Sequence, residues 1–386
     1  MAAERFHRGG YHRVSMAEIA AGVGITAPAL YRHFRGKPEL LDRTVRVGLD
    51  ALADGVRSAG STAGLTAALA AVAVAHRPLG TLVQRDARLL PPSRRAALRR
   101  ELRAVVGRMA AVLRAERPGL AAADAELLCW SALSAGAGLS YLPAAPQPRR
   151  AERLLRELLT AVLAVRLDGA GPGLVPGPGL VPGLVPGADP VPGLRSRREE
   201  LLAAAVRLFH RQGFDNVSTE RLGAAVGISG PSVYRHFDSK AQLLAAALVG
   251  GRERLRHEVG GAIPGTPGEP ERALAAGLAA YVGFALRNGD HLGVMLSETE
   301  RLAPPDRRAA VDFRRDFLRA WVDQLVRVRP EEGAMAARIR VHALFSLVDD
   351  GVRNRPAGAR PDLGDCLLRL GRVVLGLPEQ PPTGPR

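Results

Sequence analysis

The residues best suited to chemistry occur twice in this chain. Thr26, Ala27, Pro28 and Ala29 lead into Tyr31, Arg32, His33 and then Lys37; Ser229, Gly230, Pro231 and Ser232 lead into Tyr234, Arg235, His236 and then Lys240. Phenol, guanidinium, imidazole and ammonium groups all donate well to phosphate oxygens, and small residues beside them let a backbone approach base edges. Proline in the first turn of a helix costs nothing, because those N–H groups have no intrahelical partner and are themselves anion donors. This is the chemistry of recognising a polyanion. No Ser/His/Asp or metal-ligand spacing competes with it. Asp349 and Asp350 are adjacent and point about 100° apart on a helix, which reads as a solvated end or a pocket polar group. Gly136-Ala137-Gly138-Leu139-Ser140 has no strand before it and reads as small residues of a helix facing a pocket or a partner helix. Asp290-His291 follows Asn288-Gly289 and reads as a turn with a cap, and Cys129 beside Trp130 reads as core.

Lysine usage sharpens the pattern. Of the 54 Lys and Arg residues only Lys37 and Lys240 are lysines, and they hold equivalent positions at the start of a helix. An ammonium in a first turn opposes the helix dipole, and a phosphate lying there would relieve that cost.

These groups need helices to position them. In the second copy Glu199 to Gln212 places Leu202, Val206 and Phe209 on one face, and Gly213 closes the helix. Ser218 or Thr219 caps a short helix through Val226, Gly227 makes a tight turn, and a third helix runs from about Gly230 to Phe237. Ser239 opens a fourth with a capping box to Gln242; the first copy has its own box, Ser15 to Glu18. Ile25, Leu30 and Phe34 are expected to form the apolar back of the first copy's third helix, facing Ile19 and Val23. Short helix, glycine turn, short helix is the helix-turn-helix arrangement, whose second helix reads the major groove. Beyond it, amphipathic stretches at 94–114, 122–141, 307–328 and 331–352 alternate with Pro/Gly breaks. Strand alternation is absent, and the fold class is all-α.

Composition agrees. The chain has 386 residues, enough for two or three domains; it is 47% apolar but only 4% aromatic, which disfavours aromatic strands, and its net charge of +16 points to nucleic acid or another anionic surface. Two distant cysteines exclude a disulfide framework and make a reducing cytoplasm the expectation. The N-terminus has no apolar signal segment, and no stretch approaches the roughly 20 apolar residues of a membrane span.

The chain repeats itself. Shifted by 203 positions, Phe6–Leu41 aligns with Phe209–Leu244 without a gap, and 18 of the 36 positions are identical. Further on, RLLPPSRRAA from Arg88 matches RLAPPDRRAA from Arg301. Between the copies GLVPG recurs in a Gly/Pro stretch where neither helix nor central strand can persist; it reads as a linker able to span about 80 Å when fully extended.

VSMAEIAAGVGITAPALYRHFRGKPELL at 14–41 and VSTERLGAAVGISGPSVYRHFDSKAQLL at 217–244 resemble the TetR family of transcriptional regulators. The resemblance implies two TetR-like units, each a three-helix DNA-binding head with a helical body that binds a small effector and dimerises through its last helices. It divides the chain into heads at 1–46 and 195–250, bodies at 47–167 and 251–377, a linker at 168–194 and a tail at 378–386. It implies that 26–29 and 229–232 face bases, that Tyr31, His33, Lys37, Tyr234, His236 and Lys240 hold phosphates, and that Arg32, Thr219 and Arg235 belong to the same DNA-binding surface. The expected function is a sequence-specific regulator, a repressor released from its operator by a small molecule. The alternative is an effector-independent or architectural DNA-binding protein with solid bodies. No enzyme activity, metal or cofactor is expected. The expected partners are a duplex operator of imperfect palindromic form, the effector, and either the other half of the same chain or a second chain.

Two departures stand out. The family has one head per chain and this chain has two. The first copy starts at Met1, which aligns with Ala204, so counterparts of Leu201 and Leu202 are missing; a weaker first head is expected.

Overall fold

The structure is a computed structural model that describes residues 1–167, 196–263, 268–353 and 360–378. The expected linker and nearly all of the expected tail lie outside the described residues. Among those described, every regular element is helical. In chain order they are α1 (Ala2–Gly9), α2 (Met16–Gly22), α3 (Ala27–His33), α4 (Lys37–Ser58), α5 (Thr62–Ala75), α6 (Leu79–Thr81, continued by tighter and wider turns to Leu89), α7 (Pro92–Glu116), α8 (Ala122–Ala137, continued by a 3-10 turn to Tyr141), α9 (Pro148–Ala164), α10 (Arg197–Gln212), α11 (Thr219–Ala224), α12 (Gly230–Val233), α13 (Lys240–Glu258), α14 (Pro270–Glu298), α15 (Pro304–Val328), α16 (Gly333–Arg353) and α17 (Leu363–Leu375).

The compact units do not follow the sequence repeat. One contains Met1–Ala170 together with Leu325–Gly351 and Cys366–Arg386; the other contains Gly171–Gln324 and Val352–Asp365. The first unit therefore holds α1 to α9, most of α16 and most of α17.

In the first unit α5 and α9 pack side by side through Leu65, Leu69, Leu155, Leu159 and Val162, all buried. Cys129 is fully buried on α8, as its apolar surroundings suggested, and burial raises its thiol to about 12. Gly138 passes so close to α16 that an added Cβ would lie 2.6 Å from the His342 carbonyl oxygen. The small-residue stretch at 136–140 thus faces a partner helix. Asp350 is also buried there as an interior polar group, while Asp349 beside it is half-buried.

In the second unit the head and body share one core. Leu201, Phe209, Leu222, Val233 and Phe237 of the head pack in a single cluster with Val294 and Leu302 of the body. Asn288-Gly289 does not form the expected turn. It lies inside α14, where Asn288 leaves helical geometry and its side-chain amide donates to the Phe284 carbonyl oxygen at 3.1 Å. A side chain inserted into the backbone ladder in this way kinks a helix rather than ending it.

The turns within the heads follow the local chemistry. Gly24 and Gly227 adopt φ of +74° and +72°, the left-handed region that costs a residue with a Cβ about 1–2 kcal/mol. Gly227→Ala is accordingly expected to lower the stability of the second unit by that amount, seen as an earlier urea midpoint with an unchanged slope.

Candidate nucleic-acid interface

The short helices around 26–37 and 229–240 form near the positions the sequence predicts, with differences that trace to caps. Ser15 and Glu18 form the full capping box of α2, with Ser15 N donating to the Glu18 carboxylate at 2.6 Å and Glu18 N to Ser15 Oγ at 3.1 Å. Ser218, not Thr219, caps α11 by accepting from Arg221 N; Thr219 is its first residue. At α13 Ser239 accepts from Gln242 N, but Gln242 accepts in return from Asp238 N, one residue before the expected partner.

The third helices differ from each other. Thr26 caps α3 by accepting from Ala29 N, and α3 runs through His33. Ser229 instead pairs with the Ser232 hydroxyl at 2.8 Å, and α12 ends at Val233, well short of Phe237. Tyr234, Arg235 and His236 follow in tighter turns, each amide bonding three residues back.

One face of each segment is open. Tyr31 and Tyr234 are both 53% exposed, and Thr26, Pro28, Arg32, His33, Ser229, Pro231 and Arg235 are exposed as well. Ala27, Ala29, Ser232 and His236 are half-buried, and Gly230 is buried against the Glu220 backbone, where an added Cβ would sit 3.1 Å away. Leu30 and Val233 anchor the opposite face.

The apolar back of the first copy is less complete than expected. Ile19 and Leu30 are buried, but Val23 and Ile25 are 46% and 39% exposed. In the second head the equivalents Val226 and Ile228, with Leu202, pack against the core that contains Leu201, and Arg197 donates to the Val226 carbonyl oxygen at 2.8 Å. These groups come from the N-terminal half of the 16-residue α10, and the eight-residue α1 has no equivalent turns.

The two lysines have partners inside the fold. Lys240 Nζ donates to the carbonyl oxygens of Phe214 (2.8 Å) and Val217 (3.0 Å) and lies 4.3 Å from the Phe214 ring centroid. Lys37 Nζ does the same with Val14 (2.8 Å) and His12 (3.4 Å), over the Tyr11 ring at 4.7 Å. Carbonyls and a ring face answer the cation that the helix dipole disfavours, so a phosphate is not needed to explain it. Each lysine fastens the start of α4 or α13 to the loop before the helix-turn-helix.

Sequence reasoning missed the joints between head and body. In the first unit Arg85 Nη2 donates to the Phe6 carbonyl oxygen at 3.1 Å, and Arg77 lies 3.3 Å from His7 Nε2. Burial first, then the neighbouring guanidinium of Arg77, lowers the His7 pKa to about 4. In the second unit the Glu298 carboxylate accepts from Phe214 N at 3.0 Å, Asp290 lies 3.8 Å from His210 Nε2, and Arg301 pairs with Asp215. The signal was present in the alignment. His7 matches His210 at the 203-residue offset, while Arg77 and Arg85 match Asp290 and Glu298 at the later offset of 213, with the charge reversed.

Residues 1–44 and 201–247 each match the family described as bacterial regulatory proteins, tetR family. Both heads are thus similar to the DNA-binding part of that family. Among curated TetR-type relatives, the chain is 38% identical over 55 residues to an uncharacterized HTH-type transcriptional regulator of Mycobacterium tuberculosis, covering 14% of this chain and 27% of that one. It is 26% identical over 142 residues to the HTH-type transcriptional regulator EthR of Mycolicibacterium smegmatis, covering 36% and 63%. The chain thus spans about a quarter of the first relative's length. A TetR-family regulator structure from Thermus thermophilus, PfmR, superposes with a TM-score of 0.41 at 21% identity, covering 49% of this chain and all of that one.

Two outcomes follow. Lys240→Ala should destabilise the second unit without any DNA present, by about 1.5–3 kcal/mol as for a lost hydrogen bond to a charged group, read by urea denaturation. His7 is held neutral when folded but titrates near its ordinary 6.5 when unfolded. Its contribution to stability is therefore complete above about pH 6.5 and is lost as pH falls towards 4. His7→Gln should flatten that part of the pH–stability profile.

Proposed function

We propose that this protein is a sequence-specific DNA-binding transcriptional regulator whose grip on its operator is set by a small-molecule effector. The observation that carries the reading is the paired open face: two three-helix heads, each presenting Tyr-x-His beside the start of a helix whose other side is anchored in a core. The chain's +16 charge supports it, since phosphate neutralisation supplies most non-specific affinity. Tyr31, His33, Tyr234 and His236 hold phosphates, with Arg32 and Arg235 beside them. Residues 26–29 and 229–232 face the bases, and Thr219 borders the surface. Lys37 and Lys240 act on these contacts through the helix each one fixes. The working compartment is the cytoplasm, where the operator is.

The regulator represses by occupying its operator and is released by the effector. Among the relatives, FasR of Mycolicibacterium smegmatis, 43% identical over 58 residues, is named a transcriptional activator. The sign of regulation is therefore read from a reporter with and without the protein.

A single chain supplies both halves of the binding unit. Half-sites in the major groove recur about 34 Å apart, and one head reads one half-site. Tethering raises the effective concentration of the second half to roughly millimolar. Because the reading segments differ at Thr26/Ser229, Ala27/Gly230 and Ala29/Ser232, the operator is an imperfect palindrome with related but unequal halves.

Tyr234→Phe should weaken binding to all sequences alike while leaving stability within about 0.5 kcal/mol, and Arg235→Ala should reduce the slope of log K against log salt by about one. Exchanging 229–232 for 26–29 should instead change the preferred sequence towards a symmetric operator. A change of base preference in Tyr234→Phe overturns the role given to that residue. For the effector, saturable binding of a small molecule that lowers operator affinity is expected; its failure across a library that includes acyl and apolar compounds favours the effector-independent alternative.

A further inference from the structure

The first compact unit contains residues from both ends of the chain, and the polar groups where they meet are unequal on the two sides. From α16 come Ser346 and Asp350, both buried; from the first body come Gln84 and Ser134. Gln84 Nε2 donates to Ser346 Oγ at 2.9 Å and to the Asp350 carboxylate, Ser346 Oγ donates back to Gln84 Oε1 at 3.2 Å, and Ser134 Oγ donates to Asp350 Oδ2 at 2.9 Å. Around this cluster Gly138 touches the α16 backbone, Arg150 Nη2 donates to the Glu332 carbonyl oxygen at 3.1 Å, and Arg369 Nη1 donates to the Arg166 carbonyl oxygen at 3.3 Å. A carboxylate oxygen accepts, and Gln84 and Ser134, which donate to Asp350, both come from the first body.

The second body has no amide at the place of Gln84: its equivalent is Ser297, whose hydroxyl donates to Gly293 O at 2.8 Å within its own helix. The first body has no carboxylate in 136–140, the stretch that packs on α16. A buried carboxylate that loses its donors is strongly destabilising, and a buried polar group at a helix interface is a known way to select one pairing over another.

We propose that Gln84, Ser134, Ser346 and Asp350 select the pairing partner, so that the first body takes up residues 325–351 and 366–375 of its own chain and rejects a second copy of itself. The inference rests on the in-chain pairing proposed above, and its test involves no DNA, so loss of operator binding leaves it standing.

The experiment uses the full chain with a specific protease site placed between 168 and 195, cut after folding. Analytical ultracentrifugation of the cut protein should show one particle near 40.9 kDa containing both fragments in equal amounts. Gln84→Glu adds a second carboxylate beside Asp350 without removing volume, and should raise the dissociation constant of the fragments at least about tenfold, the scale of losing a buried charged hydrogen bond. Adding Asp350→Asn to Gln84→Glu restores a donor facing an acceptor and should recover the wild-type constant. Circular dichroism of each uncut variant confirms folding, and a variant that does not fold is replaced by Asp350→Leu, with the same tenfold weakening expected. Fragments that separate or re-pair as like with like in the unmutated protein overturn the proposal. So does Gln84→Glu without effect, or without rescue by Asp350→Asn.

Discussion

In each unit the end of the first head helix is fastened to the body by charged side chains, and the segments that expose Tyr31 and Tyr234 keep a fixed attitude to the body through that joint. In the first unit the fastening is a guanidinium, Arg85, at the carbonyl end of α1, where the helix dipole favours a cation. In the second it is a carboxylate, Glu298, which is almost wholly buried and takes the free amide of Phe214 just past α10. Both solutions satisfy a backbone group at the end of a helix. They do so with opposite charge.

The same economy governs the start of the fourth helix in each head. Lys37 and Lys240 bring a cation to the wrong pole of a helix and offset the cost with two carbonyls and a ring face. The loop that carries those carbonyls precedes the helix-turn-helix, so the lysine ties the reading segment to the helix that enters the body. The compact ammonium of lysine is a point donor that reaches both carbonyls and the ring face together.

What could be read from the sequence was whatever rests on local chemistry. Helical periodicity, the Ser15–Glu18 box, the positive-φ glycines and the open face at Tyr31 and Tyr234 are all set by residues within one or two turns of each other. The errors arose where a distant group intervenes. Ile25 and Val23 looked like core by type, but their cover in the second head comes from α10 residues with no counterpart in α1. Asn288-Gly289 carried a turn signal that a single side-chain hydrogen bond converted to a kink. The lysines looked like phosphate ligands because their carbonyl partners lie 23 to 26 residues away. Residues 325–351 belong to the second repeat by sequence and to the first unit by packing, a relation no local pattern encodes.

The opposite polarity of the two head joints bears on the history of the gene. Two similar coding stretches in one reading frame invite crossing-over, and the product would be a shortened chain with the first head on the second body. Such a hybrid has Glu298 in place of Arg85 and leaves the Phe6 carbonyl oxygen without that donor. It also loses the Gln84 and Ser134 donors that meet Asp350. Divergence at a handful of joint residues thus makes the two halves non-interchangeable, since a chain that drops one copy joins a head and a body whose polar groups no longer match.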